Sequence, residues 1–167
     1  MAVKADKLLD TNVPIIANRN QSRQASKACI EACVDVIEKV FKDEFRLVLD
    51  VDWIVIEEYQ HKLYPDDQSG LGDQFLRWVL TNLYNPDRCV LVKIEKDGAT
   101  FNEFPNSDIR LKNFDPSDRK WIAVAIVYHK KHGEIASIVQ AADHKWRVYA
   151  AAFNDHHIEI EFICDSP

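Results

Sequence analysis

Hydrophobic and polar positions follow two different periods along this chain, and together they predict strands that alternate with helices. Short aliphatic runs bounded by polar residues predict buried strands at Leu8-Leu9, 45–50, 89–94 and 135–142. An apolar residue at every third or fourth position predicts helices over 25–41, 53–63, 75–83 and 119–131. A short helix is expected within 145–153, and strict alternation over 158–163 is typical of an edge strand. This order predicts an α/β domain with a mostly parallel sheet.

Two segments interrupt these periods, and the residues around the helices indicate where helices begin. Segments 64–72 and 95–114 contain proline and glycine without periodicity, so we expect loops there, with one short extended piece in the second. Ser22 is a candidate cap for the first long helix. Pro116 suits a helix start, with Ser117 or Asp115 as its cap. The chain has no internal repeats, and we expect a single domain over 1–167.

Composition narrows the function classes only slightly. The 167 residues are 47% hydrophobic and 29% charged, which are ordinary values for a globular protein with a full core. The formal net charge of -6 argues against a broad, non-specific binder of polyanions. It does not exclude a nuclease, because clustered acids that hold metal ions lower the net charge themselves.

The four cysteines are scattered, and they predict buried free thiols. Cys29 and Cys33 are four residues apart in a helical pattern, which stacks them on one helix face. A zinc site that includes His156 and His157 is the less favoured alternative. No signal peptide precedes the first strand, and no apolar run approaches the ~20 residues of a membrane span. We therefore expect a soluble, reduced, cytoplasmic protein.

Acidic residues follow several of the predicted strands. Asp10 ends the first strand, Glu57 or Glu58 lies in the helix after the second, Asp118 opens a helix, and Asp143 follows the fourth strand. The carboxyl ends of parallel strands meet at one edge of a sheet, where ligands bind. Carboxylates gathered there repel one another unless cations neutralise them. Mg²⁺ or Mn²⁺ with oxygen ligands is the natural partner, and such ions support phosphodiester hydrolysis.

Each acid also has an ordinary structural interpretation. Asp118 is a favourable residue at a helix N-terminus, Asp143 is a candidate turn or N-cap residue, and Glu58 suits a solvated helix face. Asp50 is at least as well explained as a helix cap as by a role in the site. Asp10 has no comparable explanation, because apolar residues lie on both sides of it. Taken one at a time, three of the four favour the ordinary role, whereas their joint occurrence at strand ends favours a metal site.

Four ordered segments, spread over nearly the whole chain, carry a resemblance to a known family. They are Leu8-Leu9-Asp10-Thr11-Asn12, Ile54-x-x-x-Glu58-Tyr59, Ser117-Asp118-Arg119-Lys120-Trp121-Ile122-Ala123 and Ala142-Asp143. This set resembles the PIN-domain nucleases. The resemblance implies a three-layer α/β/α sandwich and a Mg²⁺- or Mn²⁺-dependent ribonuclease. It makes Asp10, Glu58, Asp118 and Asp143 the catalytic and metal-binding acids. Glu58 is chosen over Glu57 because it shares a helix face with Ile54 and belongs to the Glu-Tyr pair.

The same resemblance carries further expectations about support and partners. Thr11 and Asn12 would support the metal site through hydrogen bonds. The expected partners are an RNA substrate and a regulatory protein or antitoxin, with growth control or defence as the setting and a homodimer as a candidate assembly. The chain departs from compact members of the family between its first two strands and at 64–72 and 95–114, where it is longer. These enlarged loops argue against a short antitoxin peptide as the partner.

RNA needs basic or aromatic contacts beyond the acids. The basic residues expected to rim the same face, where they could contact phosphates, are Arg19, Arg23, Arg119, Lys120, Lys145 and Arg147. Among the tryptophans, Trp146 is the one favoured as a surface residue that stacks on bases, whereas helical spacing favours Trp121 as core.

Two other functions stay open from the sequence. A catalytically silent PIN-like module that scaffolds a larger complex would explain the enlarged loops, although four acids in register count against it. A flavodoxin-like or receiver domain also carries acids at strand ends. It should, however, have a phosphate loop or an acceptor aspartate with a downstream lysine, and no convincing equivalent is present.

Overall fold

The computed structural model describes residues 3–18, 25–66, 70–141 and 143–165, and its centre is a parallel sheet. Arg19, Arg23 and Ser22 lie outside these residues. The strands of this sheet are β1 Ala5–Leu9, β2 Phe45–Asp50, β3 Cys89–Val92, β6 Ser137–Gln140 and β7 Ile160–Phe162. They stand in the order β3-β2-β1-β6-β7, and every neighbouring pair is parallel. A separate two-stranded hairpin is formed by β4 Lys96–Asp97 and β5 Thr100–Phe101.

Helices flank this sheet in two groups. The helices are α1 Asn12–Ala17, α2 Lys27–Phe41, α3 Ile54–Lys62, α4 Leu71–Asn82, α5 Arg119–His132 and α6 Ala150–Asp155. In the first group α1, α2 and α4 pack against one another, and in the second group α3 packs against α5. Leu8 and Leu9 are adjacent in β1 and both fully buried, which requires cover on both faces of the sheet. The predicted α/β/α sandwich with a parallel sheet is therefore confirmed.

The strand order places a ligand-binding crevice at a specific point of the sheet. From β1 the chain moves to β2 and β3 on one side, and later to β6 and β7 on the other side. The strand order therefore reverses between β1 and β6. At such a point the connections after the two neighbouring strands run to opposite sides, which opens a crevice at the carboxyl ends of these strands. Leu9 pairs with Val139, so Asp10 and Gln140 flank this crevice as register neighbours. The fold thus directs attention to the residue after β1 and the last residue of β6.

Most predicted elements are present, with shifted ends. Ser26 caps α2, since its hydroxyl accepts a hydrogen bond from the Cys29 N–H at 3.1 Å. The fourth predicted strand ends at Gln140, three residues before Asp143. Segment 95–114 contains the hairpin and a 3₁₀ turn at Ile109–Leu111. The predicted edge strand is confirmed, because β7 pairs only with β6 among the described strands.

The first and fourth helices are joined by a buried polar contact at closely approaching backbones. The Asn18 amide donates to Asp73 at 3.1 Å and accepts from the Asp73 N–H at 3.0 Å. A Cβ at Gly72 would lie 1.9 Å from the Pro14 carbonyl oxygen, and one at Gly70 would lie 2.2 Å from the Asn18 amide oxygen. These glycines allow α4 to approach α1, the helix that follows Asp10.

The predictions of free thiols and of a reduced protein are wrong for two of the four cysteines. Cys29 on α2 and Cys164, which follows β7, form a disulfide. Cys33 and Cys89 are free and buried, as predicted, and burial raises the pKa of each thiol to about 12. Cys29 and Cys164 are 135 residues apart, so their pairing left no local signal in the sequence.

Loss of this disulfide should destabilise the protein. The bond closes almost the whole chain into a loop, and such bonds typically contribute roughly 2–5 kcal/mol to the free energy of unfolding. We expect Cys164→Ala to lower Tm by about 2–4 °C for each kcal/mol lost. Thermal melts with and without dithiothreitol provide the control, since reductant should lower Tm of the wild type alone. Equal sensitivity of both proteins to reductant would contradict this expectation.

Across the described residues, no helix combines the length and the apolar character that crossing a membrane requires.

Candidate functional site

Asp10 lies at the carboxyl end of β1, and its backbone is held in place by neighbours. Its N–H donates to the Val139 carbonyl at 3.0 Å, which extends the pairing of β1 with β6 by one residue. The Tyr59 hydroxyl, fully buried, donates to the Leu9 carbonyl at 2.6 Å. One carboxylate oxygen of Asp10 accepts from the Asn12 N–H at 3.0 Å. Only 4% of Asp10 is exposed, so a rigid strand end presents a nearly buried acid.

This burial changes the protonation of Asp10. Desolvation is the largest effect, and it raises the pKa of Asp10 to about 8 against the opposing effect of the Asn12 hydrogen bond. The charges of Asp118, Glu58 and Asp143 raise this pKa further, in that order. The structure therefore brings all four sequence-predicted acids into one electrostatic neighbourhood, although they come from four distant segments.

Asp118 contributes to the same neighbourhood from the start of α5. Its side chain caps no helix and instead accepts a hydrogen bond from the Trp146 indole N–H at 3.3 Å. Desolvation, followed by the charge of Asp115, raises the pKa of Asp118 to about 6. Repulsion from Asp143 and Glu58 contributes further. Asp118 thus occupies the helix N-terminus, as its ordinary interpretation expects, but its side chain makes no cap hydrogen bond there.

Glu58 is half-buried on α3 and has an unusual partner. The Lys120 ammonium lies 3.4 Å from one carboxylate oxygen of Glu58, which makes an ion pair. The two groups are not oriented for a hydrogen bond, so this buried carboxylate oxygen of Glu58 has no hydrogen-bond partner. Glu57, the alternative, is exposed, whereas the charge of Glu58 acts on both Asp10 and Asp118. Of the two glutamates, the geometry selects Glu58.

Two other aspartates act as caps. The fully buried Asp50 accepts from the N–H groups of Asp52, Ile54 and Val55 at 3.1, 3.0 and 2.8 Å. This use of both carboxylate oxygens supports the cap interpretation of Asp50. Asp143 also accepts from the Lys145 N–H at 3.2 Å at the start of a 3₁₀ segment, His144–Tyr149. One oxygen of Asp143 is engaged in this way, and its charge still raises the pKa of Asp10.

The expected support from Thr11 and Asn12 takes a different form. Asn12 supports Asp10 through its backbone N–H, whereas its side-chain amide donates to Gln140 at 3.4 Å. The Thr11 hydroxyl is buried and makes no hydrogen bond, so the expected bond from Thr11 is absent. Gln140 is fully buried, and its amide nitrogen has no partner although its oxygen accepts from the Ala141 N–H. Two unpartnered buried polar groups next to Asp10 fit a polar ligand at this point.

The sequence did not single out Gln140 or the role of Trp146. Gln140 looked like one polar residue within an otherwise apolar strand, and only its register beside Asp10 makes it notable. Trp146 is 2% exposed, which makes the prediction of a surface tryptophan wrong. It packs against Phe114 and Phe153, because the chain after β6 folds back over the enlarged loop. Trp121 is fully buried, so its prediction as core is confirmed.

The basic residues predicted to contact RNA have several roles. The Arg119 guanidinium donates to the carbonyls of Phe114 and Lys112 and lies 4.6 Å from the centre of the Phe104 ring. Arg119 therefore braces the loop, and its contact with RNA stays a prediction. Lys120 faces Glu58, as described above. Arg147 lies over Phe162 and donates to His144 while staying exposed, and Lys145 is exposed.

The carboxylates stand apart rather than in a tight cluster. Within the described part of the chain, the one group of three potential metal ligands with donor atoms within 4.8 Å of one another consists of Cys29, Cys33 and Cys164. Two of those sulfurs are joined as the disulfide. Hard oxygen donors around Asp10 still fit Mg²⁺ or Mn²⁺, which bind few carboxylates together with water and phosphate oxygens.

Comparison of the chain with protein-family models, with curated proteins and with solved structures gave no match.

Proposed function

We propose that this chain is a PIN-like, metal-dependent endoribonuclease. The observation that carries the proposal is that Asp10, at the crevice between β1 and β6, is buried with a raised pKa and lies within the electrostatic influence of Glu58, Asp118 and Asp143. Structural acids are normally paired or solvated. The unpartnered groups of Thr11 and Gln140 add support, because native proteins rarely leave buried polar groups unsatisfied.

The proposed chemistry divides between the ion and the protein. Mg²⁺ or Mn²⁺, held by Asp10, Glu58, Asp118 and Asp143, would activate water and stabilise the leaving oxygen in phosphodiester hydrolysis. The Asn12 N–H orients the carboxylate of Asp10, and the Trp146 indole N–H orients that of Asp118. Tyr59 fixes the end of β1 through the Leu9 carbonyl. Burial of Asp10, Tyr59 and Trp146 keeps water from this side of the site, which strengthens charge interactions there.

The proposal extends to the setting in which such an enzyme acts. RNA is the substrate, and the cytoplasm is the compartment where it would be met. A regulatory protein or antitoxin, and a role in growth control or defence, follow from the PIN-like proposal alone. A homodimer is the assembly to be tested first by light scattering.

The direct test is cleavage of a mixed panel of RNA and DNA with Mn²⁺, comparing the wild type with Asp10→Asn and mapping the ends of the products. The proposal is supported if the wild type hydrolyses RNA and if this activity is lost both with EDTA and in Asp10→Asn. Cleavage without a metal ion, or equal cleavage by the wild type and Asp10→Asn, would contradict the proposed function.

Lys120 supplies a prediction in which two effects have opposite signs. Its ammonium neutralises Glu58 in the absence of metal, so Lys120→Met should leave Glu58 free to bind a cation and tighten Mn²⁺ binding several-fold. The same variant should cleave RNA less well, because a cation near the scissile phosphate is lost. Calorimetric titration with Mn²⁺ measures the first effect, and cleavage kinetics at saturating Mn²⁺ measure the second. Weaker Mn²⁺ binding by Lys120→Met would show that the Lys120 ammonium does not compete with Mn²⁺ for Glu58.

A second candidate function is a silent PIN-like scaffold. The Lys120–Glu58 ion pair favours it, because this lysine and a protonated Asp10 neutralise two of the four acids without a metal ion. Calorimetry separates the two candidates. A scaffold should show no Mn²⁺ binding that depends on Asp10, and an enzyme should show binding that Asp10→Asn weakens.

A further inference from the structure

A groove opens beside Glu58 between three parts of the chain. One wall is α3, the opposite wall is the hairpin of β4 and β5, and the end is closed by the segment that precedes α5. Its volume is about 450 Å³, which lies within the usual size of ligand-binding clefts. Glu58 and Lys120 line the groove, so it reaches one of the four acids of the proposed metal site. We call it the hairpin groove.

Basic side chains reach the hairpin groove from different walls. Lys62 comes from α3, Lys96 from the hairpin, and Lys120 from α5, with His61 beside them. Lys62 and Lys96 are exposed, and within the described ranges neither forms an ion pair. The acids of the groove are Glu58, which Lys120 pairs, and Glu57. On a chain of net charge -6, three lysines against these two glutamates give the groove a small formal positive charge, carried by the exposed Lys62 and Lys96.

The hairpin wall is held in a defined position. The Asn102 N–H donates to the Glu95 carbonyl at 2.9 Å, and the Asn106 side chain donates to the Phe101 carbonyl at 2.8 Å. Phe101 is buried, which anchors β5 against α5. Gly98 turns the hairpin with φ at +59°, and no atom lies within 4 Å of its side-chain position. The groove is therefore formed before any ligand arrives, which lowers the entropic cost of binding.

We infer that the hairpin groove binds the phosphate backbone of a single RNA strand next to the phosphate that is cut. The inference rests on the proposed function and adds the form of the substrate to it. Lysines on facing walls can contact successive phosphates of one strand, which is how grooves for single strands follow a backbone. No exposed aromatic side chain lines the groove among the described residues, so bases would not be held by stacking there. We therefore expect single-strand binding with little sequence preference.

The test compares two double variants that each remove two lysine charges. Lys62→Gln/Lys96→Gln alters the groove, and Lys130→Gln/Lys131→Gln is the matched control on exposed lysines at the far end of α5. Both are measured in the Asp10→Asn background with EDTA, by fluorescence anisotropy of a labelled 12-nucleotide single-stranded RNA of mixed sequence. The groove variant should raise Kd on the order of tenfold, and the slope of log affinity against log salt should fall by about 1.4 for two lost contacts. The control should leave both values unchanged.

The test is completed by cleavage kinetics with Mn²⁺, measured on the same double variants in a protein that keeps Asp10. The groove variant should raise KM more than it lowers kcat, and the corresponding RNA duplex should compete poorly with the single strand. Unchanged Kd, salt slope and KM in an enzyme that still cleaves RNA would overturn the inference and leave the proposed function standing. Equal competition by the duplex would overturn the preference for single strands. A wild type that neither binds nor cleaves RNA would overturn the proposed function itself.

Discussion

Asp10→Asn should remove metal-dependent cleavage while making the metal-free protein more stable. Loss of residues that merely orient a metal ligand typically lowers affinity or activity 10–100-fold, so loss of this central carboxylate should lower kcat/KM by more than about a hundredfold. The substituted amide keeps an oxygen that can accept from the Asn12 N–H, and the fold should therefore persist. Cleavage kinetics with Mn²⁺ and the far-UV circular dichroism spectrum measure the two halves of this expectation.

The gain in stability follows from the protonation of Asp10. Its pKa rises from 3.8 to about 8 on folding, so the native state binds the proton more tightly than the unfolded chain does. Stability of the metal-free protein should consequently fall as pH rises from about 4 to about 8. Asparagine has no charge to bury, and Asp10→Asn should flatten this part of the pH profile and raise Tm most at pH 8. Metal binding requires the proton to leave, so Mn²⁺ affinity of the wild type should increase over the same range.

Asp35→Asn is the matched control, because Asp35 is an exposed acid on α2 whose partner is Lys39. It should change Tm and cleavage only slightly, as exposed ion pairs contribute little. Retained Mn²⁺-dependent cleavage in Asp10→Asn would exclude Asp10 as a metal ligand. A fall in Tm of the metal-free variant at pH 8 would contradict the account of its burial.

Gly72→Ala should be the most damaging substitution of a residue outside the site. The new Cβ would lie 1.9 Å from the Pro14 carbonyl oxygen, which belongs to a helix backbone and cannot rotate away. Relief requires α1 and α4 to separate, and that movement breaks the buried contact between Asn18 and Asp73. We expect a loss of about 3 kcal/mol or more in the free energy of unfolding, the upper range for overpacking. Urea denaturation measures it.

Gly133→Ala separates this steric effect from the effect of glycine conformation. Gly133 ends α5 with φ at +72° and has open space around its side-chain position. Alanine there should cost only about 1 kcal/mol, the cost of a left-handed backbone. Because α1 begins two residues after Asp10, Gly72→Ala should also weaken Mn²⁺ binding, whereas Gly133→Ala should not. Equal destabilisation by both substitutions would show that the close approach of α1 and α4 is unimportant.

Much of the fold could be predicted because its signals are local. The strand Phe45–Asp50 was predicted with the bounds that the structure has, since a fully buried parallel strand reads as a continuous apolar run. The position of Asp10 at a strand end was equally readable, because an apolar pair stops at an acid. Glu58 could be preferred to Glu57 through the helical period that places Ile54 and Glu58 on one face. Each of these inferences depends on residues that are neighbours along the chain.

Contacts between distant segments were not readable in this way. The buried position of Trp146, the disulfide between Cys29 and Cys164, and the use of Arg119 to brace a loop all depend on how the chain returns to the sheet. The sequence shows Lys120 as a basic residue near Asp118. Its position against Glu58 could not be predicted, because it depends on the packing of α5 on α3. Nothing in the sequence alone distinguished a lysine that contacts RNA from one that neutralises an acid.

The sequence by itself therefore determined the α/β class, the central strands and the acids at their ends, because short-range periodicity and chain punctuation encode these features. Only the tertiary structure decided that β1 and β6 are neighbours, which makes their carboxyl ends the crevice and places Gln140 beside Asp10. It also decided that Asp10 is buried deeply enough to hold a proton near neutral pH. Strand order and desolvation are properties of segments brought together from across the chain, and no local pattern specifies them.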